Sequence, residues 1–159
     1  MPLDHQWIEQ HIPHKGRMCL LDEVLSWDAT HIRCRSVSHK SPENPLRAYG
    51  RLGAACGIEY AAQAMAVHGA LIAASAPLAS MLSVGLRRST GPAVGYLASV
   101  RNVALHVIRL DDLDADLVAA AERVTGDGST VMYEFSVWSA QQTLLSGRAS
   151  IVVTGSPHE

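Results

Sequence analysis

Apolar and polar residues alternate through much of this chain, and one long stretch breaks the alternation. Residues 54–76 are mostly Ala, with Met, Leu, Ile and Val between them. Ala is the best helix former, and a helix that is apolar almost all round is typical of a protein interior. With Pro77 to end it, the stretch predicts one buried helix of about 20 residues, roughly 30 Å long.

The segments on both sides of this helix predict an antiparallel sheet. Residues 4–12 favour a short opening helix and 18–27 form an apolar run. Alternation predicts strands at 31–37, 81–87, 94–101, 104–108, 131–138 and 143–153. Residues 115–124 are Ala-rich, so a helix stays open for them, but they lead into the hairpin signal Gly126-Asp127-Gly128-Ser129. The pattern predicts an α+β fold with the sheet wrapped around the long helix.

Composition narrows the class of protein. The 159 residues suit a single domain over 1–159, with a disordered tail from about residue 155. A formal net charge of −2 lacks the basic excess of nucleic-acid binders. Neither the three cysteines nor any histidine pair has metal-ligand spacing, so no metal is expected. The polar groups of the long helix would be costly in lipid and the N-terminus lacks a signal peptide, which predicts a cytoplasmic protein without a membrane span.

Glu59 is the only side chain between Arg51 and Arg87 that is charged at neutral pH. A carboxylate on a buried helix is costly unless something compensates it. Two explanations stay open. Glu59 either caps the first turn and points to water, or it is held in a cleft for proton transfer. Gln63 lies four residues on, on the same helix face, where it could orient the carboxylate.

Two motifs resemble those of a known family. The segment from Ile12 to Met18, followed by Leu20-Leu21-Asp22, resembles the opening of hotdog-fold 3-hydroxyacyl-acyl-carrier-protein dehydratases. Gly57-Ile58-Glu59-Tyr60-Ala61-Ala62-Gln63 resembles the start of that family's central helix. Together with Asn44-Pro45, it is similar to the dehydratase-like proteins of aryl polyene pigment clusters. The resemblance implies a hotdog fold, an antiparallel sheet wrapped around one central helix.

The resemblance also implies a reaction, the dehydration of a 3-hydroxyacyl thioester in fatty-acid or polyene-type biosynthesis. Glu59 would be the residue at the leaving hydroxyl. We take His14 as the base, because it lies in the motif and histidine titrates near neutral pH. His39 is the second candidate, and a structural hydrogen-bonding role for His14 stays equally open. His68 is interpreted as a satisfied core histidine.

The resemblance further suggests a substrate-binding set. Backbone N–H groups at Cys56 and Gly57 would receive the thioester oxygen at the positive helix end, and Gly57 would let the substrate approach closely. Gln63, Tyr60 and Arg51 complete the set. No cofactor is expected, because the acyl group would arrive on the phosphopantetheine of an acyl carrier protein, or as a CoA thioester. The candidates for an anion-binding mouth are Arg47, Arg51, Arg87 and Arg88.

The sequence departs from the family pattern at one place, and this departure leaves other functions open. Typical members carry a histidine in the loop before the central helix, and it pairs with the helix Glu. Residues 44–52 contain no histidine, and Arg51, which stands at that place, stays protonated and cannot act as a base. A non-catalytic hotdog subunit that binds acyl chains or stabilises an active partner is therefore one alternative, and an acyl thioesterase is another. Hotdog relatives pair their sheets edge to edge, which predicts a homodimer, a dimer of dimers, or a heterodimer with a related dehydratase.

Overall fold

In the computed structural model, which describes residues 2–75, 94–127 and 129–154, a long helix packs against a six-stranded antiparallel sheet. The helices are α1 (His5–His11) and α2 (Gly57–Ser75). The strands are β1 (Glu23–Trp27), β2 (His31–Ser36), β3 (Val94–Leu105), β4 (Leu117–Gly126), β5 (Thr130–Ser139) and β6 (Gln142–Thr154). Their order across the sheet is β1-β2-β4-β5-β6-β3.

Helix α2 lies on the central strands β2, β4 and β5 and forms the core with them. The Ala-rich segment left open by the sequence is strand β4, whose Leu117, Ala119 and Ala121 are buried in the core. Pairing with β2 on one side and β5 on the other overrides the helix propensity of alanine. The predicted arrangement of one long helix against an antiparallel sheet is confirmed.

Two elements differ from the predictions. Residues 54–56 form a short 3₁₀ turn, and the α-helix begins at Gly57. The two strands expected at 94–101 and 104–108 are one strand, β3, which keeps its pairing with β6 across an irregularity between Arg101 and Ala104. The strand expected at 81–87, the helix end at Pro77 and the tail from about residue 155 lie outside the described residues. No helix in the described ranges is long and apolar enough to cross a membrane.

Candidate active site

The first turn of α2 brings Glu59 against His14, a residue 45 positions earlier in the chain. Nε2 of His14 lies 3.0 Å from Oε1 of Glu59, and their side chains are 29% and 31% exposed. Glu59 accepts no backbone N–H from any described residue, so its carboxylate does not cap the helix in this structure. The pair is therefore partly open to solvent at the start of an otherwise buried helix.

The turn that follows α1 holds His14 in this place. Lys15 donates its ammonium to the carbonyl oxygens of Glu9 and Ile12. The carboxylate of Glu9 accepts the backbone N–H of Gly16, whose φ of +60° glycine adopts without strain. Ile12 is buried in the core, so its packing holds the turn in addition to these hydrogen bonds.

Gln63 fixes the other side of the Glu59 carboxylate. Its Nε2 donates to Oε1 of Glu59 at 3.0 Å and to the carbonyl of Met18 at 2.7 Å. Its Oε1 accepts the backbone N–H of Leu20 at 2.9 Å, and the side chain is fully buried. The amide thus ties the family-like opening motif to the helix and orients Glu59, as its spacing indicated.

Opposing influences act on the pKa of Glu59. Burial raises it, but the hydrogen bonds from His14 and Gln63 and the attraction of His14 together lower it below its ordinary value. Nδ1 of His14 is buried and has no hydrogen-bond partner among the described residues. A carboxylate and an imidazole in contact, only partly satisfied, form a pair that can exchange a proton with a bound molecule.

Tyr60 lies behind this pair. It is fully buried, its hydroxyl accepts a hydrogen bond from Nδ2 of Asn44 at 3.0 Å, and it shares another with Oγ of Ser38 at 2.7 Å. Burial is the main influence that raises its pKa. Tyr60 therefore holds the loop before α2 through these hydrogen bonds. From the resemblance it was predicted to contact the substrate. Ser38 and Asn44 were not predicted as site residues, although Asn44 belongs to the quoted Asn-Pro motif.

The 3₁₀ turn engages both backbone N–H groups that were predicted to receive the thioester oxygen. The N–H of Cys56 donates to the carbonyl of Gly53 at 3.0 Å, and the N–H of Gly57 donates to the carbonyls of Ala54 and Ala55. Both donors are therefore used within the backbone in this conformation.

The space beside Gly57 is not left for a substrate either. A Cβ there would collide with the side chain of Leu145, so glycine serves the packing of β6 against the helix start.

Arg51 and Arg47 differ in their freedom to bind anions. Arg51 is exposed beside a tight turn, where its backbone pairs with Ala48. The guanidinium of Arg47 donates to three carbonyls of its own loop, those of His39, Ser41 and Gly50. Arg47 thus holds the loop and is removed as a mouth residue, while Arg51 is kept. Arg87 and Arg88 lie outside the described residues.

The hydrogen bonds of the other histidines considered lie elsewhere in the chain, and none of them reaches Glu59. His39 is fully buried, with Nε2 3.0 Å from the carbonyl of Leu113, and burial lowers its pKa. The interpretation of His68 as a core residue is confirmed, since both its ring nitrogens have partners at 2.8 Å, the Tyr133 hydroxyl and the Asp28 carbonyl. In the part of the chain that the structure describes, no group of three or more His, Cys, Asp or Glu side chains could hold a metal ion.

Comparisons with known proteins agree with this architecture. The family model ApeP-like, described as ApeP dehydratase, matches residues 6–158. No curated protein matches the chain in sequence.

Solved structures are similar in fold. The dehydratase heterocomplex ApeI:P from Xenorhabdus doucetiae superposes with a TM-score of 0.72 at 19% identity, over 98% of this chain and 92% of the other. The thioesterase HI1161 from Haemophilus influenzae gives a TM-score of 0.56 at 10% identity, over 86% and 80%. A mutant of the hypothetical protein SAV0944 from Staphylococcus aureus gives 0.55 at 12% identity, over 84% and 93%. The fold is the predicted hotdog fold.

Proposed function

The chain belongs to the ApeP-like dehydratase family, and we propose that it dehydrates 3-hydroxyacyl thioesters with Glu59 and His14 as its proton-transfer pair. The observation that carries the proposal is the 3.0 Å contact between Nε2 of His14 and Oε1 of Glu59. Gln63, which orients that carboxylate, supports it. The contact lies within a single chain, so a base is available although residues 44–52 contain no histidine.

The proposed reaction balances with these two groups alone. His14 removes the proton from C2 of the acyl chain, Glu59 protonates the C3 hydroxyl, and water leaves as the C2–C3 double bond forms. After this step the proton is on His14 and Glu59 is a carboxylate, as it is in the free chain. No oxidant, reductant or metal ion is consumed.

Substrate binding supplies the protonation states that this reaction needs. In the free chain the hydrogen bond from His14 helps to hold the pKa of Glu59 low, so Glu59 is a carboxylate at neutral pH. A substrate that comes between the two side chains breaks this bond and excludes water, and burial then raises the pKa of Glu59. With the substrate bound, the reaction requires the proton of the pair on Glu59 and a neutral imidazole at His14.

We propose a second hotdog subunit as the partner. Strand β3 lies at the edge of the sheet and is paired only with β6 among the described residues. Its apolar side chains Tyr96, Leu97, Val103 and Leu105 are 38% to 58% exposed, which is unusual for an edge strand that stays open. The similar ApeI:P structure is a heterocomplex, so a related dehydratase and a second copy of this chain are both considered.

We propose an acyl thioester as the substrate class, and the family assignment supports this proposal. An acyl thioester on the phosphopantetheine of an acyl carrier protein, or on CoA, places the anionic carrier outside the protein and the acyl group inside. Arg51, exposed in the loop before α2, is the residue we propose for the carrier or its phosphate.

The test of this function measures two possible products of one substrate, an enoyl thioester and a free thiol. The chain, alone and mixed with a related dehydratase, is incubated with a 3-hydroxyacyl thioester, first on CoA and then on a carrier protein. Absorbance of the conjugated enoyl thioester measures dehydration, and a thiol reagent measures hydrolysis. Formation of the enoyl product that depends on Glu59 and His14 is expected, and thiol release without enoyl product would establish the thioesterase instead.

A non-catalytic subunit is the second candidate, favoured by the missing loop histidine. In that case Glu59→Gln in this chain leaves the rate of the mixture unchanged, while omission of the chain lowers the rate or the stability of the partner.

A further inference from the structure

The face of the sheet turned away from α2 carries a small basic cavity. Its volume is about 110 Å³, and its polar lining consists of Ser99, Arg101, Asn102, Arg148 and Ser150. Ala149 is buried toward the core, so its neighbours Arg148 and Ser150 point to the opposite side of the sheet. None of the residues that line the cavity is acidic. It therefore offers only positive and neutral hydrogen-bonding groups, apart from the side chain of Met132.

Two arginines face each other across this cavity. Arg101 and Arg148 are direct partners in the pairing of β3 with β6, and Ser99 and Ser150 form a neighbouring pair on the same face. Like charges directly opposite each other on adjacent strands are destabilising. Arg148 donates to Glu134 at 2.8 Å, but Arg101 forms no ion pair with any described residue. One positive charge is therefore left without compensation.

An irregularity of the backbone places a further donor, the Asn102 side chain, beside the cavity. The pairing of β3 with β6 is irregular between Arg101 and Ala104, and Asn102 has a φ of +55° there. Irregularities of this kind re-aim side chains out of the regular pleat. The Asn102 amide consequently lines the cavity beside Arg101.

We propose that this cavity binds a phosphate group between Arg101 and Arg148, with the hydroxyls of Ser99 and Ser150 as further donors. Guanidinium groups bind phosphate oxygens through paired hydrogen bonds, and a bound dianion would cancel the repulsion between the two arginines. A cavity of this volume holds roughly three or four waters, enough for one phosphate group. The site lies on the other face of the sheet from Glu59, so its test does not depend on dehydration.

A second groove on the same face provides the control. It is lined by His31 and Arg33 together with Glu122 and Glu134, and Arg33 is not among the residues that line the basic cavity. His31 lies 3.5 Å from Glu122. The variant Arg33→Gln therefore removes one exposed arginine from this sheet face without touching the basic cavity.

Thermal unfolding of the full chain at constant ionic strength tests the proposal, with inorganic phosphate replacing chloride up to about 10 mM. Binding to the folded state alone should raise the Tm of the wild type and of Arg33→Gln by about 2–4 °C. Arg101→Gln should show no rise. Without phosphate it should unfold at the same temperature as the wild type or a higher one, because the repulsion is gone. An equal rise in wild type and Arg101→Gln would overturn the proposal.

Two further measurements complete the test. Arg148→Gln should also lose the phosphate response, although the lost pairing with Glu134 lowers its starting Tm.

Calorimetric titration with inorganic phosphate, coenzyme A and dephospho-coenzyme A then distinguishes the sources of the phosphate group. Binding of coenzyme A at least tenfold tighter than phosphate, lost in Arg101→Gln, identifies a phosphate ester as the ligand. Similar affinities identify free phosphate, and no binding of any of the three refutes the site.

Discussion

Helix α2 takes part in two histidine contacts nine residues apart, and their surroundings differ. At its start, Glu59 meets His14 with both side chains about 30% exposed, and Nδ1 of His14 is left without a partner among the described residues. In its middle, His68 is fully buried and both ring nitrogens are hydrogen-bonded, to the Tyr133 hydroxyl and the Asp28 carbonyl.

The comparison separates a reactive contact from a structural one. Both ring nitrogens of His68 have partners, and burial lowers its pKa, so it resists protonation. The His14–Glu59 pair keeps unused hydrogen-bonding capacity and some access to solvent, so a substrate can replace the contact between them. Both histidines lie against helix α2, but only the surroundings of His14 leave room for proton exchange with a bound molecule.

The largest expected effect is on turnover in Glu59→Gln. This substitution keeps the size of the side chain and removes the proton that it must exchange, so kcat should fall roughly 100-fold or more. Folding and assembly should persist, because the amide still accepts a hydrogen bond from Gln63. Enoyl thioester formation and light scattering measure the two properties. A variant that is less stable but fully active would instead favour the non-catalytic subunit.

Replacement of His14 and of His39 in turn tests which of the two histidines acts as the base. His14→Gln should lower turnover by roughly 100-fold, and the double variant with Glu59→Gln should be hardly worse, since the two groups act as a unit. His39→Gln should leave turnover unchanged and affect only unfolding, because His39 contacts Leu113 rather than Glu59. A loss of turnover confined to the His39 variant would reverse the assignment.

His68→Leu should change stability and not chemistry. It leaves the buried Tyr133 hydroxyl without its partner and removes the hydrogen bond to the Asp28 carbonyl, at a cost of about 1–3 kcal/mol in the free energy of unfolding. Denaturant unfolding measures the loss, and kcat of the folded enzyme should equal that of the wild type. His68→Leu combined with Tyr133→Phe should cost less than the sum of the single changes, because the hydroxyl is then no longer left unpaired.

The pH dependence of stability gives the smallest effect. Burial lowers the pKa of His68, and likewise of His39, below the ordinary value of 6.5. Below that pH the unfolded chain binds more protons than the folded chain, so stability falls as the pH falls, by at most about 1.4 kcal/mol per pH unit for each group.

The gap in stability between wild type and His68→Leu should therefore narrow from about pH 7 to about pH 5. Denaturant unfolding across this range checks it. Glu59, whose pKa is lowered from 4.5, contributes only at lower pH. A gap that stays constant would show that the pKa of His68 is the same in the folded and the unfolded chain.

The sequence predicted the parts of this protein that depend on local pattern. The run of alanines indicated a long buried helix, and alternation indicated the strands of the sheet. The isolated charge of Glu59 marked the site, and the spacing of Gln63 gave its orienting role, because residues four apart share a helix face. These predictions needed no knowledge of distant contacts.

Tertiary structure alone decided which groups meet and which are free. The contact of His14 with Glu59 joins residues 45 positions apart, and only the packed core fixes its distance. The burial of Tyr60, next to Glu59 in the chain, depends on the loop that supplies Asn44. The N–H groups of Cys56 and Gly57 are consumed by a 3₁₀ turn whose Ala-rich sequence does not distinguish it from α-helix. Hydrogen bonds between distant segments determine whether a polar group is available, and periodicity carries no information about them.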